Sequence, residues 1–70
     1  MTKMEIWKLK NNIENNIDYL STQFQTTYDI LAEINRIISL DMNHSKIFDW
    51  WIDNKDSINI ISELIHSKEE

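Results

Sequence analysis

The amino-acid sequence predicts an all-α fold in a single domain over residues 1–70. The chain contains no glycine and no proline, the two residues that most often end a helix or open a turn. In addition, apolar residues keep a helical, coiled-coil-like spacing from Ile6 to Ile38. The absence of glycine and proline disfavours tight turns between strands, and the helical spacing indicates helices along nearly the whole chain.

The first helix is predicted to begin at Lys3, because Thr2 and Glu5 have the spacing of a capping box. Its apolar stripe spans three neighbouring columns at 3.5 residues per turn, which is wide enough to pack against more than one helix. The first column contains Ile6, Ile13, Leu20 and Ile34; the second contains Ile17, Phe24, Leu31 and Ile38; and the far flank contains Leu9, Ile30 and Ile37.

The unbroken phase of the stripe favours one long helix over residues 3–40, either straight or kinked. Such a helix would be about 57 Å long at 1.5 Å per residue. Weak helix formers between residues 21 and 27 leave a break there as an alternative. Thr27 interrupts the stripe, either as a buried polar residue that fixes register or as a solvated edge.

Turn-forming residues over 41–45 predict the next connection, and Asn43 or Ser45 can cap the helix that follows. That second helix is expected over residues 45–67, which gives an antiparallel helical hairpin. Its stripe consists of Ile47, Trp50, Trp51, Asn54, Ile58, Ile61 and Ile65, with further apolar residues, namely Phe48, Ile52, Ile60 and Leu64, on its flanks.

One hairpin cannot cover these flanks, so the sequence favours two hairpins paired into a homodimeric bundle. A three-helix bundle is the alternative fold. Because a domain of this size buries only about 60% of its unfolded surface and the chain has no cysteine for a disulfide, a second copy or a partner is the remaining source of stability.

Charge and motifs exclude several classes of function. The net charge of −5 opposes direct binding to nucleic acid, and no apolar run approaches the roughly 18 residues of a membrane span. We therefore expect a cytoplasmic protein. No catalytic, metal-ligating or phosphate-binding pattern occurs, so the sequence predicts a non-enzymatic protein without a cofactor or metal.

The candidate partner-binding residues lie in the second helix. Tryptophan dominates many interface hot spots, so the aromatic cluster of this helix is a candidate interface. The alternative is that the cluster lies in the hydrophobic core. Two adjacent residues point about 100° apart on a helix, so we expect Trp51 in the core and Trp50 at an interface. An acidic rim would suit a basic partner. The predicted partner-binding set is Phe48, Asp49, Trp50, Trp51, Ile52, Asp53 and Asp56.

The leading functional hypothesis is a small acidic interaction module that binds and modulates a larger protein, as an inhibitor or a regulator. Heavy use of asparagine and isoleucine is typical of AT-rich genomes, which include those of many phages and mobile elements. A structural dimerisation or scaffolding unit is the first alternative. The second is a nucleic-acid mimic, in which Asp49, Asp53, Asp56 and Glu63 imitate backbone phosphates.

Overall fold

The computed structural model describes residues 2–69, and within that range all regular secondary structure is α-helical. The all-α prediction is therefore confirmed for this part of the chain. The molecule measures 34 × 19 × 19 Å. The helices are α1 (Lys3–Asn15), α2 (Ile17–Gln23), α3 (Thr26–Ser39), α4 (His44–Asp53) and α5 (Lys55–Glu69).

The start of α1 is fixed by the predicted capping box. The backbone N–H of Glu5 donates to Thr2 Oγ1 over 3.2 Å, and the backbone N–H of Thr2 donates to Glu5 Oε1 over 3.4 Å. Each side chain thus satisfies a backbone donor that a helix N-terminus leaves free.

The continuous helix over residues 3–40 is wrong, because the chain reverses at residues 24–25. Phe24 has an extended backbone (φ −152°, ψ 95°), and Lys3 Nζ lies 2.7 Å from Asp41 Oδ1, which places the end of α3 beside the start of α1. The break falls inside segment 21–27. The stripe kept its phase because periodicity reports which face of each helix is buried, not whether neighbouring helices are joined.

Two asparagines interrupt helices without reversing the chain. The Nδ2 of Asn16 donates to Asn12 O over 2.8 Å, and the Nδ2 of Asn54 donates to Trp50 O over 2.9 Å. In each case the side chain bonds the carbonyl four residues earlier, and the asparagine backbone leaves the helical region. The helix expected over residues 45–67 is consequently divided into α4 and α5 at Asn54.

The turn between α3 and α4 is built on Asp41, whose φ of 48° is left-handed. The backbone N–H of Asp41 donates to Ile38 O, and that of Met42 donates to Ile37 O, which is the Schellman arrangement that usually contains glycine. In this glycine-free chain an aspartate occupies the left-handed position. Asn43 then caps α4 by accepting from the backbone N–H of Lys46 over 3.0 Å.

The helices therefore follow three runs, over residues 3–23, 26–39 and 44–69, joined by turns at residues 24–25 and 40–43. Lys68 Nζ donates to Asn16 Oδ1 over 3.0 Å, which ties the end of the third run to the first. The described chain is thus not a hairpin of two helices. With five helices in residues 3–69, it also differs in helix count from the three-helix alternative.

One apolar core receives residues from every helix. The first predicted column and its far flank are buried, whereas the second column stays half-buried at the surface. This division follows from the reversal at residues 24–25, which packs α3 against α1 and α2. The buried apolar residues are Ile6, Leu9, Ile13, Leu20, Ile30, Ile34, Ile37, Ile47, Ile58 and Ile61.

Thr27 is the buried polar member of this core. Its side chain is fully buried, and its Oγ1 has no hydrogen-bond partner among the described residues. The polar interruption of the stripe is therefore a core position. Burial of an unpaired hydroxyl costs about 1–3 kcal/mol relative to a satisfied one.

We predict that Thr27→Val stabilises the fold by about 1 kcal/mol, because valine keeps the branched shape and removes the unpaired hydroxyl. In a domain of this size that corresponds to a rise in melting temperature of about 4–8 °C. Thermal unfolding followed by circular dichroism measures the change. Thr26→Val, at the exposed neighbouring position, is the control, and equal melting of the two variants would contradict the prediction.

We predict a pH-dependent contribution from Asp41. Its hydrogen bond and ion pair with Lys3 hold the pKa of the Asp41 carboxyl below its ordinary value of 3.8. Stability from this pair is therefore complete above the unfolded-state pKa of about 3.9 and is lost as the pH falls through the lowered folded value.

The Asp41→Asn variant removes the charge and keeps a residue that accepts the left-handed backbone. We expect the variant to unfold at lower urea concentration than the natural protein at pH 7, and the difference to shrink as the pH falls below the ordinary pKa of 3.8. A difference that persists unchanged at low pH would assign the effect to the backbone instead of the ion pair.

Candidate protein-binding surface

Helix α4 is held in the fold by Ile47, which is 1% exposed, and by its two asparagine caps. An α-helix makes one turn in 3.6 residues. With Ile47 directed into the core, the remaining side chains of α4 lie on the two sides of the helix and on the face opposite the core. The predicted site residues Phe48, Asp49, Trp50, Trp51, Ile52 and Asp53 all belong to this helix.

Three apolar side chains form one flank of α4, which we name the α4 ridge: Phe48, Trp51 and Ile52. Phe48 and Ile52 are one helical turn apart and are 47% and 50% exposed. The Phe48 ring centroid lies 6.0 Å from that of Trp51, with the planes tilted by 39°. Trp51 is half-buried against the core, so it supports an aromatic surface that Phe48 and Ile52 extend into solvent.

Trp50 lies on the other flank of α4, apart from the ridge. It is also half-buried, and its indole Nε1 has no hydrogen-bond partner among the residues described. The two tryptophans therefore occupy different surfaces, as their spacing of about 100° requires. Because both are half-buried, burial does not assign one to the core and the other to an interface.

Exposed carboxylates lie beside the ridge. Asp49 and Asp53 are one turn apart on the outer face of α4, and Asp56 follows the kink at Asn54. Between side chains of the described region, the ion pairs are Lys3–Asp41 and Lys10–Glu14. None of the three aspartates is thus neutralised by a direct pair within that region, and the outer face of α4, which also carries Lys46, is net negative.

A groove of about 300 Å³ separates α3 from α4. Ile37, Met42 and Trp50 are its apolar lining. Four charged side chains also line it, with Glu33 and Arg36 on the α3 wall and Lys46 and Asp49 on the α4 wall. We name this feature the α3–α4 groove.

A smaller cavity of about 40 Å³ lies between α1, the end of α3 and the start of α4. Lys3, Ile6, Trp7 and Ile38 are among its lining residues. Small-molecule sites usually have volumes of about 300–1,000 Å³. This cavity is therefore too small to hold an organic ligand.

The structure exposes several large apolar residues that sequence analysis did not single out. Met4, Trp7, Tyr28 and Leu40 are 69%, 48%, 56% and 58% exposed. Trp7 is next to a stripe residue and therefore about 100° off the core line, and Lys10 Nζ lies 5.2 Å from its ring centroid. The exposure of Leu40 could have been predicted from its position four residues after the charged Arg36, because residues at this spacing lie on the same face of a helix.

Neither a metal site nor a membrane span is found in the described residues. No group of three or more His, Cys, Asp or Glu side chains there could hold a metal ion. No helix of that region is long and apolar enough to cross a bilayer.

No protein family matches the sequence, and no curated protein or solved structure shows significant similarity to it. The arrangement of side chains on α3, α4 and α5 is therefore the basis for any functional proposal.

Proposed function

We propose that this protein is a small, non-enzymatic interaction module that binds a larger protein through the α4 ridge and modulates its activity. The observation that carries the proposal is the joint exposure of Phe48 and Ile52 on one face. Large apolar side chains grouped at a surface are typical of protein-binding sites.

The energetics suit an interface anchored on this ridge. Burying a whole Phe or Ile side chain contributes about 1.5–3 kcal/mol, so covering the exposed halves of Phe48 and Ile52 contributes about 1 kcal/mol each. Trp51, which contacts Phe48, holds the ridge in place before binding. Such preorganised aromatic anchors carry much of the affinity of protein interfaces.

The acidic rim supplies specificity for a basic surface. Asp53 and Asp56 are exposed and lack a direct ion pair in the described region. Complementary charge at the edge of an interface raises the association rate and disfavours wrong partners more than it adds affinity. The proposed partner is therefore a cytoplasmic protein with an apolar cleft bordered by lysine or arginine.

The proposed modulation is steric. A molecule 34 Å long that binds to a functional surface of the partner would block the access of other molecules to that surface. We extend the proposal to an inhibitor or regulator encoded by a phage or mobile element, on the basis of the asparagine- and isoleucine-rich composition. The proposal does not include nucleic-acid mimicry. Exposed Lys46 and Lys55 lie close in sequence to Asp49, Asp53 and Asp56 and lower the negative charge of that surface.

We predict that Phe48→Ala/Ile52→Ala weakens partner binding at least about tenfold, since two anchors are lost. Affinity capture from the source cells identifies the partner, and calorimetry with the purified partner measures the loss. The control is Met4→Ala/Tyr28→Ala, which removes two large, more exposed apolar side chains from α1 and α3. Equal affinity of both double variants, with helicity unchanged, would place the binding surface elsewhere.

We also predict that Asp53→Asn/Asp56→Asn slows association with that partner several-fold at low salt and has little effect near 1 M salt, where screening acts within about 3 Å. Stopped-flow fluorescence measures the rate. Asp18→Asn/Asp29→Asn is the control, because it removes two exposed carboxylates from α2 and α3. A rate that does not change with either variant would remove the acidic rim from the proposal.

A further inference from the structure

We propose that the α3–α4 groove is the contact surface between two copies of this chain, which pair antiparallel about a two-fold axis running across their grooves. The inference concerns a different flank of α4 from the ridge, so it does not rest on the proposed function. It is carried by the order of charges along the groove.

Each wall of the groove has the same charge order. On α3, Arg36 is nearer the turn at residues 40–43, and Glu33 is three residues further from it. On α4, Lys46 is nearer that turn, and Asp49 is three residues further away. One end of the groove is therefore positive and the other end is negative, with about one helical turn between them.

The four charges make no direct ion pair across the groove, and the nearest opposite charge of each lies three residues away on its own helix. The ion pairs of the described region are Lys3–Asp41 and Lys10–Glu14 and include none of them. Within one molecule, charges of the same sign face each other across the groove, with Arg36 opposite Lys46 at one end and Glu33 opposite Asp49 at the other. Intramolecular pairing across the groove would therefore be repulsive at both ends.

A second copy turned end to end removes this conflict. With a two-fold axis across the grooves, α3 faces α3 and α4 faces α4 of the other molecule in opposite directions. Arg36 of each copy then meets Glu33 of the other, and Lys46 meets Asp49. Every charge of the groove then faces an opposite charge on the other copy, and each contact occurs twice by symmetry.

Apolar side chains of the groove add contacts to the pair. Met42 and Trp50 line the groove and are half-buried, and Ile37 lies at its base. A specific dimer buries about 600 Å² or more on each copy. That is roughly one-eighth of the 4828 Å² of accessible surface of the chain, which the outer faces of two helices can supply.

Charge reversal tests the pairing. The natural protein should sediment as a dimer at micromolar concentration, and Arg36→Glu should shift it to monomer, with at least a tenfold rise in dissociation constant, because the new carboxylate meets Glu33 of the other copy. The exchange variant Glu33→Arg/Arg36→Glu should restore the dimer, because it reverses the order on α3 and keeps the two-fold complementarity.

Lys8→Glu is the matched control, since it makes the same change of charge at an exposed position on α1 and should leave the dimer intact. Circular dichroism verifies that each variant is folded. A monomeric natural protein, a dimer that Arg36→Glu does not weaken, or an exchange variant that stays monomeric would overturn the proposal. Because the ridge is not altered, partner binding through Phe48 and Ile52 is measured separately on the same variants.

Discussion

The fold depends on the need of every helix to direct isoleucine or leucine into one shared core. A helix of 7 to 15 residues is marginal in water by itself, so each is stabilised by the side chains that it buries. The interruptions at Asn16, Phe24 and Asn54 let successive segments reach that core. Helix α4 reaches it chiefly through Ile47, which leaves both its flanks at the surface.

Local signals in the sequence predict the fold better than long-range ones do. The Thr2–Glu5 capping box and the Asn43 cap both occur in the structure, because each needs only neighbouring residues. The reversal at Phe24 could not be predicted from the sequence, because the apolar residues before and after it continue the same helical spacing. The surplus of apolar residues on the second predicted helix indicated the exposure of Phe48 and Ile52. The order of charges in the groove could not be predicted, because Arg36 and Lys46 lie on opposite walls of one groove only in the folded chain.

Helix α4 therefore presents two surfaces of different chemistry. The ridge joins exposed aromatic and aliphatic side chains to a negative rim, whereas the groove has a positive end and a negative end. Asp49 lies between them, on the outer face and at the groove wall. The proposed self-association and the proposed partner binding would therefore use separate surfaces of one short helix, and neither would cover the apolar residues of the other.

The two-residue reversal between α2 and α3 has a consequence for how fast the protein reaches its native state. Neighbouring helices joined by such short connections form contacts between residues that are close along the chain, and small helical proteins of this kind fold in microseconds to milliseconds. The chain also has no proline, whose isomerisation delays many proteins by tens of seconds. A newly made chain can thus reach its folded state almost as soon as its synthesis ends.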